Sequence, residues 1–593
     1  MLSILLNWTY VIVTTYIWGF AVLQAVVNMP HMFTAKGKKQ CIYEVRYHES
    51  YLIAGIIAAT SYAQLFSIVY KVGLIANVLY VGVCLLIVIL KRDELLESLS
   101  NLFTKFRDKK VIGIYVAIAL VLAYATSHGL MHYDTDLYHA QAIRWIEEYG
   151  VIKGLGNLHL RLGYNSASFA LSALFSMGFM GQSLHGMAGY FAFLLAIKCA
   201  DIVEIARRRY PILPDFVRIL AIYYLFTILD EMVSPASDYY MTTLVLYIVI
   251  HWLDLYSIHE RSFLPHAFLS MVALYAVTIK LSAAPVFLLA IYPIHRLISK
   301  RKKGAIKPIL YFALIGFFIV FPYIMRNIIL TGWLIYPFTS IDIFGVAWKI
   351  PMDRAVSDAH EIIAYGRGFT NVADYGIPFR EWFPAWVMSL GLFNKMMLIL
   401  DGVCFPAFAG CCIYYLFAGA SGNKDSRQGN IFHLSHRKAV ALSDFMFLEC
   451  VAYLSLFYWL FSSPLIRYGC VYLWLPAVIL IGRFLCLFYN RAGLARYEYL
   501  HKVVFALFLL FIAYKSIYYC LEDIVRFNPG YVVKQQDYNR YEVESKEISG
   551  ITFYYPVTGD RTGYYAFPSA PSLDGVELMG DDIRAGIRYT DPG

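Results

Sequence analysis

The sequence predicts an all-helical, polytopic membrane protein with about fourteen transmembrane helices, juxtamembrane helices on its outer face and a small extracytoplasmic C-terminal tail. Three observations carry this expectation. Of 593 residues, 59% are hydrophobic and only 15% are charged, whereas soluble domains carry about 25% charged residues. Runs of roughly 20 apolar residues recur from end to end, each long enough to cross a hydrocarbon core of about 30 Å. Lys and Arg gather in short loops between these runs, the arrangement that orients spans with their basic loops in the cytoplasm.

The composition also excludes other classes. The formal net charge of +9 comes from those loop clusters, and no basic helix or RNA-binding signature accompanies it. The expected partner is therefore the lipid bilayer, and nucleic acid is not one. The cysteines fall almost entirely inside apolar runs, as Cys84, Cys199, Cys411, Cys412, Cys450, Cys470 and Cys486 do. They leave neither a disulfide framework nor a CxxC metal site. The N-terminus lacks a basic region and a convincing cleavage site, and further spans follow at once, so it is read as a retained first helix.

Spans near residues 2–27, 51–70, 72–90 and 111–131 place Lys91, Arg92, Lys105, Arg107, Lys109 and Lys110 in the cytoplasm. The fourth span then exits near His132, and residues 133–165 lie outside. Two apolar runs follow, near 166–181 and 184–205, before Arg207-Arg208-Arg209. If both crossed, that triple arginine would lie outside. The first run is shorter than the roughly 17–25 residues of a usual span and carries Ser166, Ser168, Ser172 and Ser176, so it is expected to lie in the interface without crossing. Spans near 216–232, 238–256, 263–279 and 282–298 then put Lys300, Arg301, Lys302, Lys303 and Lys307 inside. A span at 308–325 leads to an outer segment, 326–390. Spans near 392–418, 441–461, 467–488 and 503–521 place His436-Arg437-Lys438, Arg491, Arg496 and Lys502 inside, and leave the 522–593 tail outside. The tail's Pro556–Arg561 and Gly580–Asp582 stretches read as a small strand-rich cap.

Ionisable groups at membrane depth are costly and usually functional. The loop after the fourth span reads His132-Tyr133-Asp134-Thr135-Asp136-Leu137-Tyr138-His139. Two carboxylates and two histidines at a membrane exit can supply a general base or hold a divalent ion. Asp134 or Asp136 can equally cap the helix that begins near Leu137. Asp238, Lys280, Arg326 and Arg467 come to the same face from four different spans. A lone cation at a span end is commonly an interfacial anchor, but a set of them beside paired carboxylates suits a phosphate, with arginine offering a bidentate fork.

These residues resemble the GT-C superfamily of membrane glycosyltransferases, which use polyprenyl-phosphate or polyprenyl-diphosphate sugars. The resemblance rests on the acidic outer loop after an early span, and on Arg326-Asn327 with Tyr336-Pro337-Phe338. More closely, Tyr133–His139, Gly154-Leu155-Gly156-Asn157-Leu158-His159 and Arg161-Leu162-Gly163-Tyr164-Asn165 are similar to a bacterial group of multi-spanning proteins associated with surface-polysaccharide synthesis. Four spans precede the acidic loop here, where the superfamily usually has one. The resemblance implies accessory helices at 1–110, a catalytic membrane region at 111–521 and the tail at 522–593. It implies an inverting sugar transfer to a glycan or glycolipid acceptor, on the periplasmic face of a bacterial inner membrane. Asp134 is the expected base, with Asp136 a second candidate or a partner in a weak divalent-cation site. Lys280, Arg326 and Arg467 are expected at the lipid phosphate, Arg326 foremost. His139, His159, Arg161 and Asp238 are expected to bind substrate. A lipid-linked glycan flippase, and a polysaccharide polymerase or ligase, are the alternatives.

Overall fold

The computed structural model describes residues 1–27, 48–105, 109–206, 210–301, 304–420, 436–491, 498–524 and 528–591. Arg107, Arg207-Arg208-Arg209, Lys302, Lys303 and Arg496 lie outside the described residues. The chain is mostly α-helical. Among the described residues, the strands form two small antiparallel hairpins in the tail, Val543–Ile548 with Ile551–Pro556 and Val576–Leu578 with Ile587–Tyr589.

Among the described residues, seven helices are long and apolar enough to cross a membrane. The number rises to eight if Leu74–Leu90 and the basic-loop helix beyond it, bent from one another by 93°, count as one span. Length and composition therefore support about half of the fourteen spans read from the sequence. One long helix falls short for a physical reason. Ser237–Ser257 is buried continuously from Asp238 to Leu255, so its polar side chains face protein and its sequence need not be lipid-soluble. Helices at the margin show the opposite pattern. Leu74, Val78, Leu85 and Ile89 are all exposed on one face of Leu74–Leu90, and Leu310, Leu314, Phe317 and Phe321 on one face of Ile306–Thr331. Aliphatic and aromatic stripes of this length suit lipid rather than water.

Contacts sort the helix ends into two sets. The Glu49–Val69 helix, about 30 Å long at 1.5 Å per residue, shows the division. Near Glu49 its end joins a buried ion network, in which Lys198 lies 3.2 Å from Glu49 and 3.1 Å from Asp254, and Arg218 reaches Asp215 and Asp254 at 2.9 and 2.6 Å. At its other end, Ser67 O accepts from Val151 N at 2.8 Å, and Lys71 lies 4.0 Å from Glu148. That second end also receives the tail. Gln141 Nε2 donates to Gly563 O at 2.8 Å, Arg144 Nη1 to Tyr564 O at 2.6 Å, and Ile587 N to Lys153 O at 2.8 Å. The loop at 133–165 and the tail thus share one end of the helical body.

The Gly154–His159 stretch is built for this docking. Gly154 has φ +67°, and a Cβ there would meet the Ile587 carbonyl oxygen at 2.0 Å. Asn157 Nδ2 donates to Trp348 O at 2.8 Å and to Ile587 O at 3.2 Å. The glycine removes a side chain where a tail strand must approach, and the asparagine satisfies the carbonyls brought there.

Residues 166–181 differ from the interfacial helix expected of them. The helix is Ala167–Phe175, nine residues long and buried throughout, so it rises only about 14 Å. It does not cross, yet protein surrounds it. Asn7 and Asn77 side chains donate to the Phe175 and Leu174 carbonyls at 2.7 and 3.1 Å. The serines that suggested an interface find partners inside. Ser166 pairs with Ser168 at 2.7 Å and Ser172 with Tyr240 at 3.1 Å.

Candidate active site

A cavity of about 380 Å3 opens at the end of the body that carries the 133–165 loop. Its wall is assembled from segments far apart in sequence. Asp134 and Tyr138 come from the acidic loop, Asp238 from the start of Ser237–Ser257, Lys280 from the break after Phe263–Ile279, and Arg467 from the start of Ile466–Arg491. Each charged group sits where a helix begins or ends, so its charge is presented at that end and not within the apolar middle.

Arg467 joins these groups. Its Nη2 donates to Asp134 Oδ2 at 2.7 Å, its Nε lies 3.2 Å from Asp238 Oδ2, and it also meets the His132 ring. Asp238 takes a second cation, the Lys280 ammonium, which lies 3.7 Å from the Tyr468 ring centroid. Arg161 approaches Asp134 at 3.5 Å and Glu361 at 3.1 Å. Burial by itself raises the Asp134 carboxyl, but Arg467, with His139, His132 and Arg161, holds it below the usual carboxylate range. Asp134 is therefore ionised at neutral pH. It makes no side-chain cap to the Thr135–His139 turn that follows it, so its carboxylate serves the cavity.

The rest of the lining is mostly apolar and aromatic. Tyr138, Phe169, Tyr323, Tyr336, Pro337, Phe338, Ile362, Ile363, Tyr458 and Trp459 contribute to it. Two of its phenols are held from behind by Asp358, a buried residue of the Met352–Gly366 helix. Tyr336 OH donates to Asp358 Oδ2 at 2.7 Å and Tyr164 OH to Oδ1 at 3.0 Å. Burial pushes the Asp358 carboxyl up to about 6, against the pull of those two hydrogen bonds.

The sequence candidates divide clearly. Asp134, Asp238, Lys280 and Arg467 line the cavity, and Arg161 reaches it through Asp134. Arg326 does not line it. Its Nε donates to Asn165 Oδ1 at 2.9 Å and its Nη1 to Ser67, which fixes the acidic loop's far end to the Glu49–Val69 helix. Arg326, expected foremost among the three cations, thus lies outside the cavity, and Arg467 is central to it. Asp136 turns to the tail, where Asn539 Nδ2 and Tyr541 OH donate to its Oδ2 at 2.8 and 2.7 Å. A divalent ion shared by Asp134 and Asp136 does not fit this arrangement, because one carboxylate is bound by arginine and the other by neutral tail donors. His139 is buried against Tyr138 and Phe169, with ring centroids at 4.3 and 5.4 Å, and burial lowers it to about 3. His159, lowered to about 3 by burial and then by Arg161 and Arg354, is not among the lining residues.

Sequence reasoning missed Asp358, Glu361 and Tyr468. A usable signal existed for Asp358, because Asp358, Ile362 and Tyr365 recur at helical spacing in the outer segment. Nothing local marks Tyr468 except its place after Arg467.

A family model described as a domain of unknown function (DUF8201) matches residues 1–474. That stretch contains every charged residue lining the cavity. No curated protein and no solved structure matches the chain.

Proposed function

We propose that this chain, which belongs to the DUF8201 family, is a membrane glycosyltransferase that moves a sugar from a polyprenyl-(di)phosphate donor to a hydroxyl of a glycan or glycolipid. In this reading about fourteen helices span a bacterial inner membrane, and the cavity faces the periplasm. One observation carries the proposal. An ionised Asp134 and the cations Lys280 and Arg467 share a cavity whose remaining lining is mostly apolar and aromatic. A lipid-linked sugar needs the same set: a base for the acceptor, cations for the departing phosphate, and apolar surface for the first isoprene units.

The chemistry balances on these residues. Asp134 takes the proton of the acceptor hydroxyl as its oxygen bonds to the anomeric carbon. The bond from that carbon to the phosphate oxygen breaks on the opposite side, which inverts the centre. The electron pair leaves on the phosphate, where Arg467 and Lys280 meet the developing charge. An arriving phosphate competes with Asp134 and Asp238 for both cations. Asp134 is then less tightly paired and becomes a stronger base.

The test is transfer by purified protein in nanodiscs, supplied with polyprenyl-phosphate sugars and followed by mass spectrometry. Asp134→Asn keeps the shape of the side chain and removes the proton acceptor, so turnover should fall about 100-fold or more, with insertion unchanged. Transfer by D134N at near wild-type rate removes Asp134 from the role, and no transfer by the wild-type protein from any polyprenyl-phosphate or polyprenyl-diphosphate sugar removes the reaction class.

A further inference from the structure

Arg467 has a second cavity on its other side. This one, about 410 Å3, lies between the Leu213–Thr227 helix, the turn at Glu231 and the start of the Leu392–Ala420 helix, and Arg467 is the residue it shares with the first cavity. Both volumes fall in the range of small-molecule sites, about 300–1,000 Å3.

The two linings differ in chemistry. Apart from Arg467, the second cavity has no cation among its described lining residues. It has an aromatic cluster, in which Tyr223 lies 4.5 Å from Phe393 and 5.8 Å from Trp474, ring centroid to centroid. Beside the rings stand a carboxylate, Glu231, and an amide, Asn394. Trp474 Nε1 donates to Asn394 Oδ1 at 2.8 Å, which fixes the amide's orientation and leaves its N–H donors for a ligand. Glu231 accepts from Tyr239 OH through one oxygen, Oε2. Fixed aromatic faces with one acceptor and one donor suit a neutral, polyhydroxylated ring, whose C–H faces stack and whose hydroxyls need both kinds of partner. A phosphate would meet Glu231 as a like charge, so the second cavity disfavours the ligand that the first one favours.

We infer that this second cavity is the saccharide site for the acceptor, separated from the lipid-phosphate cavity by Arg467. The saccharide class rests on the transfer reading. The wall between the cavities carries Arg467, whose guanidinium already touches Asp134, Asp238 and His132. An acceptor hydroxyl presented past that side chain arrives next to the base, while the donor phosphate occupies the far side.

Two measurements on the full-length protein in nanodiscs separate this inference from the reading beneath it. Native mass spectrometry with undecaprenyl phosphate reports on the first cavity. Photolabelling with a diazirine-bearing methyl β-glucoside, mapped by peptide mass spectrometry, reports on the second. The expected result is label on the 223–239 or 391–394 segments, reduced at least about fivefold in Asn394→Ala and in the conservative Glu231→Gln, with undecaprenyl phosphate binding unchanged in both. Lipid phosphate bound but label absent, located elsewhere, or equal in wild type and variants overturns the acceptor site alone. Failure to bind lipid phosphate while the label maps as expected overturns the transfer reading and leaves a saccharide site standing.

Discussion

Replacing Asp358 with Asn should change how the protein's stability depends on pH. The carboxyl is buried, accepts from two phenols that line the cavity, and is moved by burial from an ordinary 3.8 to about 6. At about 1.36 kcal/mol for each pH unit, that displacement is worth about 3 kcal/mol. Because the folded value is raised, the folded state holds its proton more tightly than the unfolded chain. The corresponding stabilisation is fully present below the ordinary carboxylate value, declines as pH rises through about 4 to 6, and is gone above that. An asparagine does not titrate. Thermal unfolding in nanodiscs between pH 4 and 7 should therefore show the wild type losing several degrees more than D358N over that interval. At pH 7 the two should lie close together, because the amide retains one acceptor for a tyrosine. Superimposable pH dependences would mean that burial does not raise the Asp358 carboxyl and that it is already ionised in the folded protein across this range.

Other expectations are direct. Arg467→Lys keeps the charge but cannot span Asp134 and Asp238 at once, so donor use should fall about 10- to 100-fold, the loss of one charge-assisted hydrogen bond of about 1.5–3 kcal/mol. Lys280→Gln should raise the donor KM more than the acceptor KM, and an equal effect on both would argue against a phosphate partner. Arg326→Gln leaves Asn165 or Ser67 without its donor and should cost about 1–3 kcal/mol of stability, read as a lower Tm with the donor KM unmoved. Cysteines placed at 208 and 546 should be labelled from opposite sides of sealed membranes, 208 from the cytoplasm. Labelling of both from one side would break the orientation.

What could be read from the sequence follows from how each residue acts. Asp134, Asp238, Lys280 and Arg467 were visible because a charge at the end of an apolar run has few structural explanations. Arg326 looked the same in sequence, yet a buried guanidinium can bond neutral partners, and Asn165 and Ser67 supply them from elements 161 and 259 residues away. Asp136 shows the same limit. Its neighbour Asp134 and the shared loop suggested a pair, but rotation along the Thr135–His139 turn sends the two carboxylates to different partners. Composition alone supports about half of the span count, because a bundle's central helices, such as Ser237–Ser257, are screened from lipid by their neighbours and carry polar side chains. A sequence reading cannot distinguish a lipid-facing stripe from a protein-facing one without knowing the packing.

The tail's grip on the acidic loop bears on how the protein is made. Asp136 and Asn539 are separated by 403 residues, and at about 5–20 residues per second a ribosome needs roughly 20–80 seconds to bridge them. Throughout that interval the loop has left the ribosome, while Asp136, Gln141 and Arg144 wait without the groups that will satisfy them. In nascent chains the loop thus stays locally open until the 539–564 segment has been made. Premature termination before Asn539 leaves a chain in which Asp136, Gln141 and Arg144 never meet these partners.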